Sequence, residues 1–272
     1  MSTTSKSEEE QIRLHNAQEL EQADFSAPPE ILEFSGFVCF LHKLPIFLFD
    51  MDGTIIDSTE AIIQHWTQIA SELNIDPAVI LATSHGRRSI DVLAVHDPSK
   101  ANWEYVNSLE AVIPKRYASS AVEIPGARTL LATLSSASAP WAIVTSGTRA
   151  LVSGWLEVLG LTRPEHLVCA QDVLNGKPDP SCYQLGLKKI GMEGSGNDQG
   201  LEGSVLVVED APAGIRAGRA AGCKVLGLAT SHAVGEVVGA GADWVVRDLS
   251  SVRFLGCRDG KARVEIRDAL VR

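Results

Sequence analysis

The sequence predicts an α/β fold: a Rossmann-like parallel sheet core with helices on both faces and an inserted all-helical cap. Three observations predict it. Short, wholly apolar runs alternate with segments of helical spacing, the pattern of parallel strands buried on both faces. A long block between the first and second runs holds amphipathic helical stretches and no strand run. The polar and charged residues that interrupt the pattern stand directly after the apolar runs, at the sheet edge where open α/β folds bind ligands.

Residues 1–44 read as an N-terminal extension, partly ordered, with a helix over 8–21, a solvated run Glu8-Glu9-Glu10 and a break at Pro28-Pro29. An inserted-looking segment, Leu41 to Pro45, precedes the first core strand. The α/β core is expected over 45–58 and 122–272. Its strands should lie at Ile46–Phe49, Trp141–Val144, 167–170, 205–208 and Lys224–Leu228, each short and apolar. Helices should lie at 128–136, 149–159, 181–190 and 213–221, the last opened by Pro212 and closed by Gly222. The helical cap is expected over 59–121, where Ile62, Ile63, Trp66, Ile69, Ala70 and Leu73 recur at helical spacing. Residues 191–203, rich in glycine and polar side chains, read as a surface loop. Asp259-Gly260 between 254–257 and 262–266 reads as a β-hairpin turn.

Composition narrows the function. The chain has 272 residues, 45% of them hydrophobic, enough for one large domain with an insertion. A net charge of −10 argues against nucleic acid and against a membrane surface as partner. The apolar stretch 37–49 is interrupted by His42, Lys43 and Pro45 and is too short to span a bilayer. The polar, acidic start is unlike a secretory signal. Five cysteines (Cys39, Cys169, Cys182, Cys223 and Cys257) are odd in number and lack CxxC spacing, so buried free thiols in a reducing, cytoplasmic compartment are expected.

The chemistry concentrates at Asp50 and Asp52, two carboxylates at i and i+2 after the run Phe47-Leu48-Phe49. On extended backbone they point to the same side and repel, unless a cation or a shared proton relieves them. A divalent metal with oxygen ligands would do so, and that arrangement suits phosphoryl chemistry. Thr145-Ser146-Gly147, Lys177 and Glu209-Asp210 stand at or soon after the ends of later strands. Taken singly, each has a plainer reading: a solvated turn, a loop lysine, a helix N-cap, a surface ion pair. The ordered set points to a site. In the cap, His85, Arg87 and Arg88 read either as substrate contacts or as a solvated helix start. Asn107 and Glu110 read as the polar face of a cap helix, and Trp66 and Trp103 as core.

This ordered set resembles the four motifs of the haloacid dehalogenase superfamily of phosphatases. Asp50-x-Asp52-Gly53-Thr54 matches the first, Thr145 the second, Lys177 the third and Glu209-Asp210 the fourth. Longer segments resemble the fungal glycerol-phosphate and 2-deoxyglucose-6-phosphate phosphatases: Ser84-His85-Gly86-x-Arg88, Thr145-Ser146-Gly147-Thr148-Arg149 and Glu209-Asp210-Ala211-Pro212-Ala213-Gly214-Ile215. The long N-terminal extension and the segment before the first strand depart from that subfamily. The resemblance implies a phosphatase whose nucleophile is Asp50, forming an aspartyl-phosphate. It implies magnesium (Mg2+) held by the Asp50 carboxylate, the Asp52 carbonyl and Asp210. Asp52 would be the general acid and base, kept protonated by its anionic surroundings. Thr145, Ser146 and Gly147 would hold phosphoryl oxygens, Lys177 would supply positive charge, and Glu209 would orient Lys177 or a metal-bound water. His85 and Arg88 would face the organic part of the substrate. The implied partner is a small phosphomonoester of a polyol or sugar, and the implied assembly a monomer or weak dimer. A phosphomutase, a phosphatase or cyclase acting on prenyl chains, and a non-enzymatic binding protein are the alternatives.

Overall fold

The computed structural model describes residues 8–34, 37–39, 42–44, 46–84, 86–192, 204–258 and 261–271. Its centre is a six-stranded sheet of β1 (Ile46–Phe49), β2 (Trp141–Val144), β3 (His166–Val168), β4 (Val205–Glu209), β5 (Lys224–Leu228) and β6 (Trp244–Val246). All pairings are parallel, in the order β6-β5-β4-β1-β2-β3. The expected strands are present. β6 is an addition, a run of three residues too short to stand out in the sequence.

Every residue of β1, β2 and β4 is buried, because helices cover both faces. Alternate side chains take opposite faces. Phe47, Phe49, Ile143, Leu206 and Val208 pack with Leu131, Leu134, Val152 and Trp155 of helices Ala127–Ser136 and Arg149–Val158. Leu48, Val144, Val205 and Val207 pack on the other side with Tyr183, Leu187 and Ile215 of helices Ser181–Lys189 and Pro212–Ala220.

The chain leaves the core after β1 and returns before β2 through a two-residue antiparallel ladder, Ile56–Asp57 against Val122–Glu123. Between them lie helices Thr59–Leu73, Pro77–Ser84, Ser89–His96, Trp103–Ala111 and Ile113–Arg116. They enclose a core of their own from Trp66, Ile69, Ile80, Leu93 and Val106.

The N-terminal segment is more tightly built in than its polar sequence suggests. Helix Glu8–Gln22 is anchored where Arg247 donates to the Leu20 carbonyl at 3.1 Å and Glu19 accepts from the Gly235 amide at 3.2 Å. Strand Glu30–Phe34 pairs antiparallel with Lys261–Ile266, which also pairs with Val252–Arg258. The expected C-terminal hairpin therefore forms, and its turn residues, Asp259 and Gly260, lie outside the described residues. So do Leu41, Pro45 and, in the glycine-rich loop, residues 193–203. Cys169, Cys182 and Cys223 are buried free thiols, and the side chains of Cys39 and Cys257 lie outside the described residues. Among the described residues no helix is long and apolar enough to cross a membrane.

His65, buried in the cap between the rings of Trp66 and Tyr117, has no hydrogen-bond partner for Nε2 among the described residues. Burial, and secondarily Arg116, lowers its pKa from 6.5 to about 4. The unfolded chain therefore takes up the proton first. The stability from a neutral His65 is complete above pH 6.5 and is lost as pH falls toward 4. On the order of 3 kcal/mol should disappear across that interval. Denaturant titrations at several pH values should show His65→Phe losing less stability over the same range. An unchanged pH dependence would mean His65 protonates without penalty.

Candidate active site

β1 is flanked by β2 and β4, and the winding of the sheet reverses between β1 and β4. A crevice opens at the carboxyl end of such a reversal. Asp50 follows β1, Thr145 follows β2, and Glu209 ends β4 with Asp210 after it. Three sequence-distant polar segments are thereby brought to one place by strand order alone.

The Asp50 amide donates to the Val208 carbonyl at 3.0 Å, so the ladder continues one residue past β1 and fixes the backbone beneath the carboxylate. Lys177 reaches in from its loop. Its Nζ lies 2.6 Å from Asp50 Oδ1, 2.6 Å from Glu209 Oε1 and 3.1 Å from the Val144 carbonyl. All three side chains are buried. Tyr183 donates its hydroxyl to Glu209 Oε1 at 3.1 Å, and the Ala211 amide donates to Oε2 at 2.8 Å. Both Glu209 oxygens are thus engaged, and its visible work is to hold Lys177.

Asp210 accepts from Thr54 Oγ1 at 2.8 Å and from Ser231 Oγ. Gly53 makes this approach possible. Its φ is +85°, and a Cβ there would stand 2.1 Å from Asp210 Oδ2. Asp50, Glu209 and Asp210 each place an oxygen within 4.8 Å of the other two.

One ammonium is too little for this many buried carboxylates. Burial holds the Asp50 carboxyl well above its ordinary range, with Lys177 pulling the other way. Burial, then Glu209, pushes Asp210 up to about 7. Burial alone would lower Lys177, but Asp50 and Glu209 outweigh it and keep the ammonium charged. Asp52 opens onto the cavity and accepts from Ser58 Oγ at 2.5 Å. Its pKa is raised, and here the structure corrects the expected cause: burial raises it, while the nearby charge, Lys177, lowers it.

Thr145 begins the opposite wall. The Gly147 amide donates to Thr145 Oγ1 at 3.0 Å, and Thr148 caps helix Arg149–Val158 by accepting from the Leu151 amide at 3.3 Å. Asp50, Asp52, Thr145, Ser146, Gly147, Lys177, Glu209 and Asp210 all line one cavity. Its roof is the cap, through Ile62, Trp66, Ser84, Arg87, Ser89 and Glu110.

Two cap residues singled out in the sequence fall differently. His85 lies outside the described residues. Arg88 does not line the cavity; it is buried against Asp91 and core carbonyls, and its neighbour Arg87 lines the cavity instead. Glu110, read as part of the polar face of a cap helix, is 3% exposed and lines the cavity. Trp66 belongs to the cap core, as expected, and also reaches the cavity. Ser58, Ser231 and His232 are lining residues the sequence reading missed. For Ser231-His232 a signal existed, because they follow β5 at the same sheet edge. For Ser58 none did.

Residues 47–228 match the family described as haloacid dehalogenase-like hydrolase. The chain is 41% identical over 216 residues to glycerol-1-phosphate phosphohydrolase 2 of Saccharomyces cerevisiae, covering 79% of this chain and 86% of that one. It is 34% identical over 254 residues to 2-deoxyglucose-6-phosphate phosphatase 1 of the same yeast, covering 88% and 99%. Among solved structures it is similar to a hydrolase from Pseudomonas syringae, with a TM-score of 0.62 at 28% identity over 75% of this chain and 94% of that one.

Removing Lys177 would leave Asp50 and Glu209 buried without their cation. Lys177→Ala should destabilise the metal-free protein by about 3–5 kcal/mol, the usual effect of orphaning a buried charge. Urea unfolding in excess chelator measures it, and a loss below about 1 kcal/mol would mean that the triad is solvated.

Proposed function

The chain belongs to the haloacid dehalogenase-like hydrolase family and is a phosphoric monoester hydrolase, and on that premise we propose that it hydrolyses a small polyol or sugar monophosphate through an aspartyl-phosphate on Asp50. The observation that carries the reading is the buried contact of Asp50 with Lys177, 2.6 Å apart, with Asp210 and Asp52 in the same cavity.

Lys177 holds Asp50 Oδ1 and fixes the carboxylate for in-line attack on phosphorus. A bond forms between Asp50 and phosphorus as the ester P–O bond breaks. Asp52, whose pKa is raised by burial, donates a proton to the leaving alkoxide. It then takes a proton from the water that attacks the aspartyl-phosphate, releasing phosphate and restoring Asp50. The Thr145 hydroxyl, oriented by the Gly147 amide, and the Ser146 amide receive the phosphoryl oxygens ahead of the helix at Arg149.

The donor set fits magnesium. Every candidate ligand is a hard oxygen, and the cluster carries more negative charge than Lys177 neutralises. Glu209 is held by Lys177, Tyr183 and the Ala211 amide, and Asp50, Asp210 and the Asp52 carbonyl would hold the ion. Bound there, it would offset the repulsion between these carboxylates and an anionic phosphate.

The roof supports the substrate class. Ser84 and Arg87 offer a hydroxyl and a charge suited to a polyol, and Ile62 and Trp66 supply the apolar part of the roof. A mutase would need a second phosphate site, and Arg87, the roof's one cation among the described lining residues, shares the roof with Glu110. The named activities of the two yeast relatives agree with this class.

Phosphate release should be measured over glycerol phosphate, hexose 6-phosphates, a nucleotide and a prenyl phosphate. Release should be fastest from a polyol or hexose ester, and a prenyl ester clearly ahead would overturn the substrate class. Asp50→Asn should abolish turnover by many orders of magnitude, since uncatalysed phosphomonoester hydrolysis is extremely slow. Its melting curve should be unchanged; residual activity above a few per cent refutes the nucleophile. Excess chelator should stop the reaction and magnesium restore it, whereas full activity in chelator removes the metal from the reading.

A further inference from the structure

The cap grips the catalytic half of the molecule through two buried side chains to which the chemistry above gives no role. Arg88 sits at the start of cap helix Ser89–His96. Its guanidinium forks onto Asp91, with Nε and Nη2 each 2.8 Å from a carboxylate oxygen. This pairing fixes the plane of the guanidinium. Nη1 crosses to the core and donates to the carbonyls of Val173 at 3.0 Å and Ala170 at 3.4 Å. Gly176, the residue before Lys177, leaves room for it: a Cβ there would come 2.7 Å from Arg88 Nε. Trp103 stands 5.9 Å over the same guanidinium.

Glu110, on cap helix Trp103–Ala111, grips the other core loop. One carboxylate oxygen accepts from Ser89 Oγ, and the other accepts from the Thr148 amide at 2.7 Å. Thr148 directly follows Thr145-Ser146-Gly147. The two core loops are themselves joined, the Ala170 amide donating to the Gly147 carbonyl at 2.9 Å.

We infer that Arg88 and Glu110 are positioning residues that tie cap closure to the alignment of Lys177 and Thr145, and that Arg88 does not read the substrate. The inference rests on the phosphatase reading above. Each tie spans from a cap side chain to a core backbone group, so it exists only when the cap is down. Closure then does two things together: it excludes water, and it sets the two loops that hold the nucleophile and the phosphate. An error of about 1 Å in such placement costs roughly 100-fold in rate.

The test uses the full chain in magnesium, with glycerol phosphate and p-nitrophenyl phosphate, the latter having no polyol to contact the roof. Rates are referred to folded protein from the unfolding baseline. Arg88→Ala and Glu110→Ala should lower kcat on both esters by a similar factor, roughly 100-fold, with KM moving far less. Arg88→Lys keeps the charge but cannot fork onto Asp91 while reaching Val173, so it should stay near the alanine level. Glu110→Gln keeps an oxygen for the Thr148 amide and should recover most of the loss. A loss confined to glycerol phosphate, or rescue by Arg88→Lys, would mean that Arg88 meets the substrate and would overturn the inference. Unchanged rates per folded molecule would overturn it too, leaving the ties purely structural. A wild-type protein that releases phosphate from neither ester would instead bring down the phosphatase reading.

Discussion

Lys177 Nζ stands 2.6 Å from Asp50 and 2.6 Å from Glu209, with all three side chains buried. Charges withdrawn from water in this way persist only when each has a partner and the remaining hydrogen-bonding positions are filled. The surrounding structure supplies this at some cost to itself. Tyr183 and the Ala211 amide take up the Glu209 oxygens, and Gly214 clears the space, since a Cβ there would fall 1.5 Å from Glu209 Oε1. The helix that opens at Pro212 is therefore committed to a glycine at its third residue, where a better helix former would be cheaper for the helix alone.

The sheet makes this cluster possible. β1 and β4 are distant in sequence and adjacent in space, so Asp50, Glu209 and Asp210 arrive together without long loops. The strands need be only four or five residues long because both faces are covered. Their ends can then be spent on charge. Asp210, pushed up to about 7 by burial and then by Glu209, is a carboxylate whose charge a divalent cation is suited to stabilise.

How much of this was legible in the sequence depended on whether a residue's surroundings were local. The strands β1, β2, β4 and β5 were read because a buried parallel strand is an unbroken apolar run. Asp50, Thr145, Lys177 and Asp210 were read because each breaks such a pattern at or soon after a strand end. Strand Glu30–Phe34 was not, because its partner lies at the far end of the chain and its two glutamates resemble a solvated segment. Glu110 resembled the wet face of a cap helix, since helical periodicity shows which residues share a face and not whether solvent or another half of the molecule covers it. The choice between Arg87 and Arg88 likewise turns on one step of rotation about a helix start, which sequence spacing does not resolve. The raised pKa of Asp52 was inferred from charge and arises from burial, a quantity no local window contains.

Several of the hydrogen bonds between cap and core end on backbone atoms. Arg88 reaches the carbonyls of Ala170 and Val173, Glu110 the amide of Thr148, and Ser146 donates its hydroxyl to the Gly86 carbonyl at 2.9 Å. A side chain that addresses backbone places no demand on the identity of the residue it touches. The gripping half of each contact is therefore visible in sequence as an arginine, a glutamate or a serine, and the gripped half is not. The roof keeps Arg87, Ser84 and Ser89 at the cavity, and Glu110, which lines it too, also holds the Thr148 amide. Substrate choice can thus change through roof residues such as Arg87 and Ser84, while the ties that set Lys177 and Thr145 stay as they are.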